Sequence, residues 1–297
     1  MNNEQRCVMI ADSGSTKTDW VVDGRRLQTQ GINPFHQDED TIRSILRNEL
    51  LPQLALPLAA SSPESDATDA AHQTLAVEGA VFYGSGVRPE LEAKMEGLLR
   101  EIFPNASHIE AHSDLLGAAR ALCGGREGIA CILGTGANSC LFDGERIVRN
   151  TPPLGYILGD EGSGAVLGIR FLNALYKGQL DDALRHAFEA WAGLALPDVI
   201  ARVYRQPMAN RWLASLSPFI HQHISQRGVQ ALVVDNFRDF IRRNIVPYRR
   251  PDLPLNAVGS IAYHYQPQLQ EAARQEGYAI GIVVRSPLDR LTMPKAG

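Results

Sequence analysis

The sequence contains no apolar run long enough for a membrane-spanning helix, which needs about 18–20 successive apolar residues. Its 297 residues carry a formal net charge of −4, so it lacks the basic excess typical of nonspecific nucleic-acid binders. Its first residues do not show the charged and apolar regions of a signal peptide. We therefore expect a cytoplasmic protein that binds neither a membrane nor nucleic acid.

Cysteine and histidine show no disulfide or metal-ligand pattern in this sequence. The four cysteines form no Cys-x-x-Cys pair, and the eight histidines show no spacing typical of metal ligands. These patterns argue against a structural zinc site and against a disulfide framework, and they favour a reducing compartment. Hydrophobic residues make up 44% of the chain and charged residues 21%, which is typical of a globular protein with room for two domains.

Two segments rich in Gly, Ser and Thr interrupt apolar runs that read as buried strands. We call residues 13–17 the first turn and residues 134–136 the second turn. Small residues let the backbone approach a ligand closely, so that N–H groups and hydroxyls can surround phosphate oxygens. Two such turns about one domain length apart predict a pair of related lobes that close on one nucleotide.

The pattern of the chain supports this duplication. Strands are predicted at residues 6–11, 17–23, 26–30, 80–83 and 108–111, with helices at 40–50 and 89–103 and a surface loop within 53–76. A second pass has a helix at 115–123 and strands at 129–133, 138–142, 146–149, 255–258 and 278–284. It also holds a helix-rich stretch over 162–247, including one helix at 211–225, and a helix at 261–275.

Five motifs occur in order along the chain: residues 11–18, Asp114 before a helix, residues 134–139, residues 154–164 and residues 258–262. With these motifs the chain resembles the N-acetylglucosamine kinase-like branch of the BadF/BadG/BcrA/BcrD group, within the actin/hexokinase/Hsp70 superfamily. The resemblance implies an α/β protein with two ribonuclease H-like (actin-like ATPase) lobes and a nucleotide cleft between them. The lobes are expected at residues 1–112 and 113–284, with residues 285–297 packing back on the first.

The resemblance implies that ATP and Mg²⁺ are the cofactors. The phosphates are expected at Ser13, Gly14, Ser15, Thr16 and Lys17 of the first turn and at Gly134, Thr135 and Gly136 of the second. Adenosine is expected at Gly259 and Ser260, and Asp12 is expected to help hold Mg²⁺. For Lys17 an ordinary strand-edge role is equally compatible with the sequence.

Asp114 is the candidate catalytic base, because sugar kinases of this superfamily use a carboxylate to accept the proton of the attacking hydroxyl. The sequence alone favours a helix N-cap, the resemblance favours catalysis, and both roles hold if Ser113 is the cap. The resemblance also assigns Asn33, Asp114, Gly155 and Asp160 to the sugar. The residues at 159–164 open a helix, whose N-terminal N–H groups are expected to be free for a ligand.

These implications amount to an ATP-dependent kinase of an amino sugar. The first expectation is phosphorylation of N-acetyl-D-glucosamine at O6. The alternatives are a kinase of another hexose, such as N-acetylmuramic acid, and an activator-type ATPase of the 2-hydroxyacyl-CoA dehydratase/benzoyl-CoA reductase kind. The expected partner is a small-molecule sugar, and a homodimer is common among such kinases.

Overall fold

The computed structural model describes residues 6–14, 16–55 and 76–291. Ser15 of the first turn, most of the predicted loop within 53–76 and the C-terminal residues 292–297 lie outside the described residues. The described chain forms two compact units, the first reaching Gly117 and including Leu291, and the second spanning Ala118–Arg290. In this part of the chain, no helix has both the length and the apolar character needed to cross a membrane.

The first unit is built on a five-stranded mixed sheet. Its strands are β1 (Arg6–Ser13), β2 (Lys17–Val22), β3 (Arg25–Gln30), β4 (Ala76–Gly84) and β5 (His108–Ser113). In the order β3-β2-β1-β4-β5, β1 lies at the centre, antiparallel to β2 and parallel to β4. The turn between β1 and β2 is thus the first turn, at one end of the central strand.

The core of the first unit follows from the strand sequences. Strand β1 is apolar from Cys7 to Ala11, as expected for a strand with a parallel neighbour and covered faces. Strand β2 alternates, and its inward side chains Trp20 and Val22 are only 1% exposed. The rings of Trp20 and Phe82 lie 5.9 Å apart between centroids, so β2 and β4 share one hydrophobic core.

Four helices accompany this sheet: α1 (Glu39–Ile45), α2 (Leu51–Leu54), α3 (Pro89–Ile102) and α4 (Asp114–Cys123), the last of which continues into the second unit. The Asp38 carboxylate caps α1 by accepting from the Thr41 N–H at 2.7 Å. A π-helical turn over Leu46–Leu50 joins α1 to α2. The predicted helix at 40–50 is therefore present and extends to Leu54.

The second unit repeats the sheet of the first. Its strands are β6 (Gly128–Leu133), β7 (Ala137–Phe142), β8 (Ile147–Thr151), β9 (Leu255–Val258) and β10 (Ile280–Val284). Their order is β10-β9-β6-β7-β8, with β6 antiparallel to β7 and parallel to β9. Each central strand thus leads into a hairpin on one side and has a parallel strand on the other. The predicted two-lobed α/β fold is confirmed.

Helices fill the long connections of the second unit. They are α5 (Gly155–Leu158), α6 (Gly164–Tyr176), α7 (Asp182–Ala192), α8 (Leu196–Tyr204), α9 (Ala209–Ala214), α10 (Ser217–Gln222), α11 (Arg227–Phe240), α12 (Ser260–His264) and α13 (Gln266–Gln275). A π-helical turn extends α11 to Ile245. The prediction of one helix at 211–225 is wrong, because the chain breaks between α9 and α10. Pro218 has no N–H to continue a helix and sits in the first turn of α10.

Candidate active site

Three parallel strands of the first unit end at the same level. Ser13 of β1 lies beside Gly84 of β4, and Gly84 lies beside Ser113 of β5. Asp12 and Asp114 therefore reach the same edge of the sheet. Polar side chains at the carboxyl ends of parallel strands form the usual ligand edge of an open α/β sheet.

Asp12 carries a strongly perturbed carboxyl group. Burial, together with the negative charges of Asp114 and Asp19, raises its pKa from 3.8 to about 7. Asp19 lies directly opposite Asp12 in the antiparallel register, so the two carboxylates project from the same face of the sheet. Lys17 opposes this shift only weakly. The edge therefore holds more negative charge than its own cations neutralise.

Asp114 begins helix α4 and is also largely shielded from solvent. Burial raises the pKa of its carboxyl group to about 6, against the opposing effect of the Leu115 N–H, which donates to Oδ1 at 2.8 Å. The Leu116 N–H donates to the Ser113 hydroxyl at 3.2 Å. Since the Ser113 hydroxyl satisfies the Leu116 N–H at the helix end, Asp114 is not required as the cap.

Lys17 is engaged on the surface of β2. Its ammonium group lies 2.8 Å from an Asp19 carboxylate oxygen, and its side chain is 54% exposed. Gln28 also donates to the Asp19 carboxylate, at 2.8 Å. Of the two readings of Lys17, the strand-edge role is the one that the contacts within the unit favour.

The first turn is closed by a hydrogen bond from the Gly14 N–H to the Lys17 carbonyl oxygen, at 3.0 Å. The Ser13 hydroxyl, predicted to face phosphate, is instead fully buried and donates to the Ile32 carbonyl oxygen at 2.8 Å. Thr16, also on this turn, is exposed. The Ser13 side chain therefore stabilises the first turn by a buried hydrogen bond to the loop that follows β3.

The second turn has the same construction. The Gly134 N–H donates to the Gly136 carbonyl oxygen at 3.0 Å. The first N–H groups of α6, on Gly164 and Ala165, donate to the Gly134 and Thr135 carbonyl oxygens at 2.8 and 3.2 Å. The expectation that this helix end is free for a ligand is therefore wrong. Among the described residues, however, nothing accepts from the N–H groups of Thr135 and Gly136.

Asp160 lies against the second turn. Its backbone is left-handed, with φ of 54°, which is unusual for a residue with a side chain. Burial raises the pKa of its carboxyl group, while hydrogen bonds from the N–H groups of Gly155 and Ala137 oppose the shift. A Cβ atom on Gly136 would lie 3.0 Å from its Oδ2. Asp160 thus ties the loop at Gly155 to the second turn.

Asn33 lies in the loop after β3. Its Oδ1 accepts from the N–H groups of Phe35 and His36 at 3.0 and 3.3 Å, so the carbonyl side of the amide supports its own turn. Among the described residues, its Nδ2 has no partner. The amide group of Asn33 is therefore only half used by the loop itself.

Gly259 connects β9 to α12 with a positive φ of 122°. A Cβ atom there would lie 2.3 Å from the Leu133 carbonyl oxygen and 3.2 Å from the Gly134 nitrogen. The glycine is required because the backbone of the second turn packs against it. The next residue, Ser260, is exposed at the start of α12.

We expect Gly259→Ala to destabilise the protein by about 2 kcal/mol or more, through strained φ and the contact with Leu133. The melting temperature should fall by several degrees. Gly134→Ala is the matched control, because a Cβ atom there meets nothing within 4 Å. Equal melting temperatures for the two variants would contradict this account.

Glu161 is held within the second unit. Its carboxylate lies 3.5 Å from the Arg243 Nε atom and accepts from Asn244 at 3.4 Å. The side chain is 14% exposed. These contacts give Glu161 a structural role beside the loop of Asp160.

Sequence reasoning did not single out several residues that support the site. Asn236 of α11 is fully buried, accepts from the Gly162 N–H and donates to the Ser163 carbonyl oxygen, which fixes the loop after Asp160. Gln37 accepts from the Asn33 N–H at 2.7 Å. Neither belongs to a motif. Asp19, in contrast, could have been found from the two-residue alternation of β2.

The described residues do not form a metal site made of protein ligands alone. Among the described residues, no group of three or more His, Cys, Asp or Glu side chains is arranged to hold one. Mg²⁺ usually keeps several waters and binds one or two carboxylates together with substrate phosphates. A single carboxylate such as Asp12, in surplus negative charge, fits that mode of binding.

Comparison with known proteins supplies the remaining information. No protein-family model and no curated protein matches the chain. A structure from Porphyromonas gingivalis, described as a putative N-acetylglucosamine kinase, is 46% identical, covers 95% of this chain and 96% of its own, and has a TM-score of 0.87. One from Chromobacterium violaceum with the same description is 20% identical over 93% and 94%, with a TM-score of 0.66.

The fold extends to more distant proteins. The ethanolamine utilization protein EutJ from Carboxydothermus hydrogenoformans is 16% identical, covers 95% of this chain and 86% of its own, and has a TM-score of 0.52. The duplicated sheet and the 46% identical relative define the class as an ATP-dependent sugar kinase of the actin-like fold. The chain belongs to the N-acetylglucosamine kinase-like family within that class. The resemblance drawn from its motifs is confirmed.

Proposed function

We propose that this protein transfers the γ-phosphoryl group of MgATP to O6 of N-acetyl-D-glucosamine. The observation that carries the proposal is the 46% identity, over 95% of the chain, to the protein described as a putative N-acetylglucosamine kinase. The carboxylates at the edge of the first sheet and the free donors of the second turn support the same chemistry.

Asp114 is the proposed catalytic residue. Its Oδ1 is fixed by the Leu115 N–H, which leaves Oδ2 to accept a hydrogen bond from the sugar hydroxyl. A pKa of about 6 keeps the group ionised at neutral pH and makes it a better proton acceptor than an ordinary aspartate. Because phosphoryl transfer has a loose transition state, orienting the hydroxyl matters at least as much as removing its proton.

The phosphates are proposed to bind the two turns. The N–H groups of Thr135 and Gly136 and the exposed donors of Thr16 are suited to phosphate oxygens. Mg²⁺ supplies positive charge that offsets the charge of the transferring group, and Asp12 would help hold it. A bound cation would also lower the pKa of Asp12, which burial and then the charges of Asp114 and Asp19 raise.

The sugar is proposed to meet Asn33 through its free Nδ2 donor. Asp160 and Gly155 are proposed to contribute from the second unit, as the resemblance implies. The Gly155 and Ala137 N–H groups already hold the Asp160 carboxylate, so a sugar hydroxyl would donate to a preoriented acceptor. Hydroxyl-reading sites of this kind discriminate strongly against analogues that lack the hydroxyl.

Gly259 and Ser260 are proposed to lie at the adenosine. The contacts of Gly259 with the second turn mean that a substitution there would disturb phosphate and adenosine binding together. The homodimer and the cytoplasmic location stay predictions from the sequence. Light scattering of the purified protein tests the dimer.

The activator-type alternative is not supported by the cysteines. All four thiols are buried, and burial raises the pKa of each. An iron–sulfur cluster shared between subunits needs accessible thiolates. The cysteines of this chain are packing residues.

The test is ADP release with MgATP against a panel of hexoses and amino sugars, including N-acetylmuramic acid, with a no-sugar control. Stimulation by N-acetylglucosamine, with the product phosphorylated at O6 by NMR, is the expected result. Stimulation by another sugar alone would overturn the substrate, and sugar-independent turnover would overturn the kinase. Product analysis also separates O6 from the other hydroxyls.

We expect kcat/KM for the sugar, at saturating MgATP, to fall tenfold per pH unit below about pH 6. The reason is that protonation of Asp114, whose pKa is raised to about 6, removes the proton acceptor as pH decreases. An unperturbed aspartate would place the decline near pH 4. A flat profile down to pH 5 would contradict the role of Asp114.

A further inference from the structure

Two buried hydroxyls stand on either side of the first turn. The Ser13 and Thr18 side chains belong to residues paired across β1 and β2, and both residues are 0% exposed. Their oxygens lie 2.6 Å apart, within hydrogen-bond distance. Neither hydroxyl can reach solvent, so each must find its partners inside the protein.

Those partners lie in the loop that carries Asn33. The Ile32 N–H donates to both hydroxyls, at 3.0 Å for Ser13 and 3.1 Å for Thr18. The Ser13 hydroxyl donates to the Ile32 carbonyl oxygen at 2.8 Å, and the Thr18 hydroxyl lies 3.1 Å from the Gln30 carbonyl oxygen.

A backbone bond completes the connection. The Gly31 N–H donates to the Thr16 carbonyl oxygen at 3.3 Å. Ile32 itself is 0% exposed, so its main chain has no water to replace these partners. If the first turn moved away from this loop, several buried polar groups would lose their hydrogen bonds at once, which is costly.

We propose that Ser13 and Thr18 are positioning residues that couple phosphate binding at the first turn to sugar binding by Asn33. This inference rests on the proposed function. A phosphate that fixes the first turn fixes Ile32 through the two hydroxyls, and Asn33 is the next residue. Because coupling between two binding sites is reciprocal, bound sugar also favours phosphate binding.

The test compares the sugar affinity with and without a nonhydrolysable MgATP analogue, measured by calorimetry. Thr18→Val removes one hydroxyl, Thr18→Ser retains it, and Ser13→Ala is a second variant in case Thr18→Val does not fold. The matched control is Thr29→Val. Thr29 is 5% exposed and accepts from the Trp20 indole N–H at 3.1 Å, so its loss also breaks a buried hydrogen bond in the same sheet.

In the wild-type protein we expect the analogue to tighten N-acetylglucosamine binding by roughly 5- to 100-fold. Thr18→Val and Ser13→Ala should bring that ratio close to one, whereas Thr18→Ser should restore most of it. Thr29→Val should lower the melting temperature but keep the ratio, which separates positioning from general stability.

Two results would overturn this inference but leave the proposed function intact. One is a wild-type kinase whose sugar affinity does not change with the MgATP analogue, and the other is an affinity ratio that Thr18→Val and Ser13→Ala leave unchanged. A fall in the ratio as large in Thr29→Val as in Thr18→Val also overturns it. A wild-type protein that neither binds nor phosphorylates N-acetylglucosamine overturns the proposed function, and this inference with it. Wild-type turnover of the sugar therefore distinguishes the two failures.

Discussion

Asp114→Asn should lower kcat for sugar phosphorylation by about 10²- to 10⁴-fold, the range expected for removing a positioned general base. The asparagine keeps an oxygen that can accept from the Leu115 N–H, so the start of α4 is preserved. What it loses is the negative charge and the proton acceptor. The affinity for ATP should therefore change little, and the defect should appear in kcat rather than in ATP binding.

Steady-state kinetics and calorimetry with ATP measure the two effects. Ser113→Ala is the matched control, because it removes the hydroxyl that accepts from the Leu116 N–H but leaves the Asp114 carboxylate. We expect that variant to lose about 1 kcal/mol of stability and to keep most of its turnover. If Asp114→Asn retained a tenth of the wild-type kcat, Asp114 would not be the base.

The strands and the duplication were predictable because they depend on local patterns. Apolar runs followed by Gly-, Ser- and Thr-rich turns identified both central strands and both hairpins, and the structure has them with bounds within a few residues. The same alternation that buries Trp20 places Asp19 beside Asp12. The alternation of β2 therefore also predicts that the Asp19 carboxylate lies next to Asp12.

The direction of individual hydroxyls and the burial of charges could not be predicted in this way. A Ser in a phosphate-type turn can face the ligand or the core, and the Ser13 side chain turns inward because the Ile32 main chain lacks other partners. The need for glycine at 259 follows from the Leu133 backbone, 126 residues earlier in the chain. Such contacts arise from tertiary packing, which no local pattern encodes.

The raised pKa of Asp12 has an equally nonlocal origin and a measurable consequence. We expect Asp12→Asn to abolish most of the activity, because the proposed carboxylate ligand of Mg²⁺ is lost, and at the same time to stabilise the fold. In the unfolded chain this carboxyl group ionises near its ordinary pKa of 3.8, whereas in the folded protein its pKa is about 7. The folded state thus pays an electrostatic penalty that the neutral amide avoids.

The sign of this effect fixes its pH dependence. Below about pH 4 the carboxyl group is protonated in both states, so it costs nothing. Between pH 4 and pH 7 the unfolded state ionises first, and the stability of the wild-type protein falls as pH rises. The loss is complete above pH 7 and amounts to at most about 4 kcal/mol, at 1.36 kcal/mol per unit of the shift from 3.8 to about 7.

Thermal melts from pH 4.5 to pH 8 measure this dependence. Asp12→Asn should melt several degrees above the wild type at pH 8, with the gap closing towards pH 4.5. Asp19→Asn serves as the control, since Asp19 causes only part of the Asp12 shift and should give a smaller gain. A gap that did not change with pH would mean that the carboxyl group of Asp12 titrates normally. The wild-type protein thus gives up stability at pH 8 to keep Asp12 ionised as a ligand for a cation. Saturating MgATP should therefore reduce the difference in melting temperature between Asp12→Asn and the wild type at pH 8.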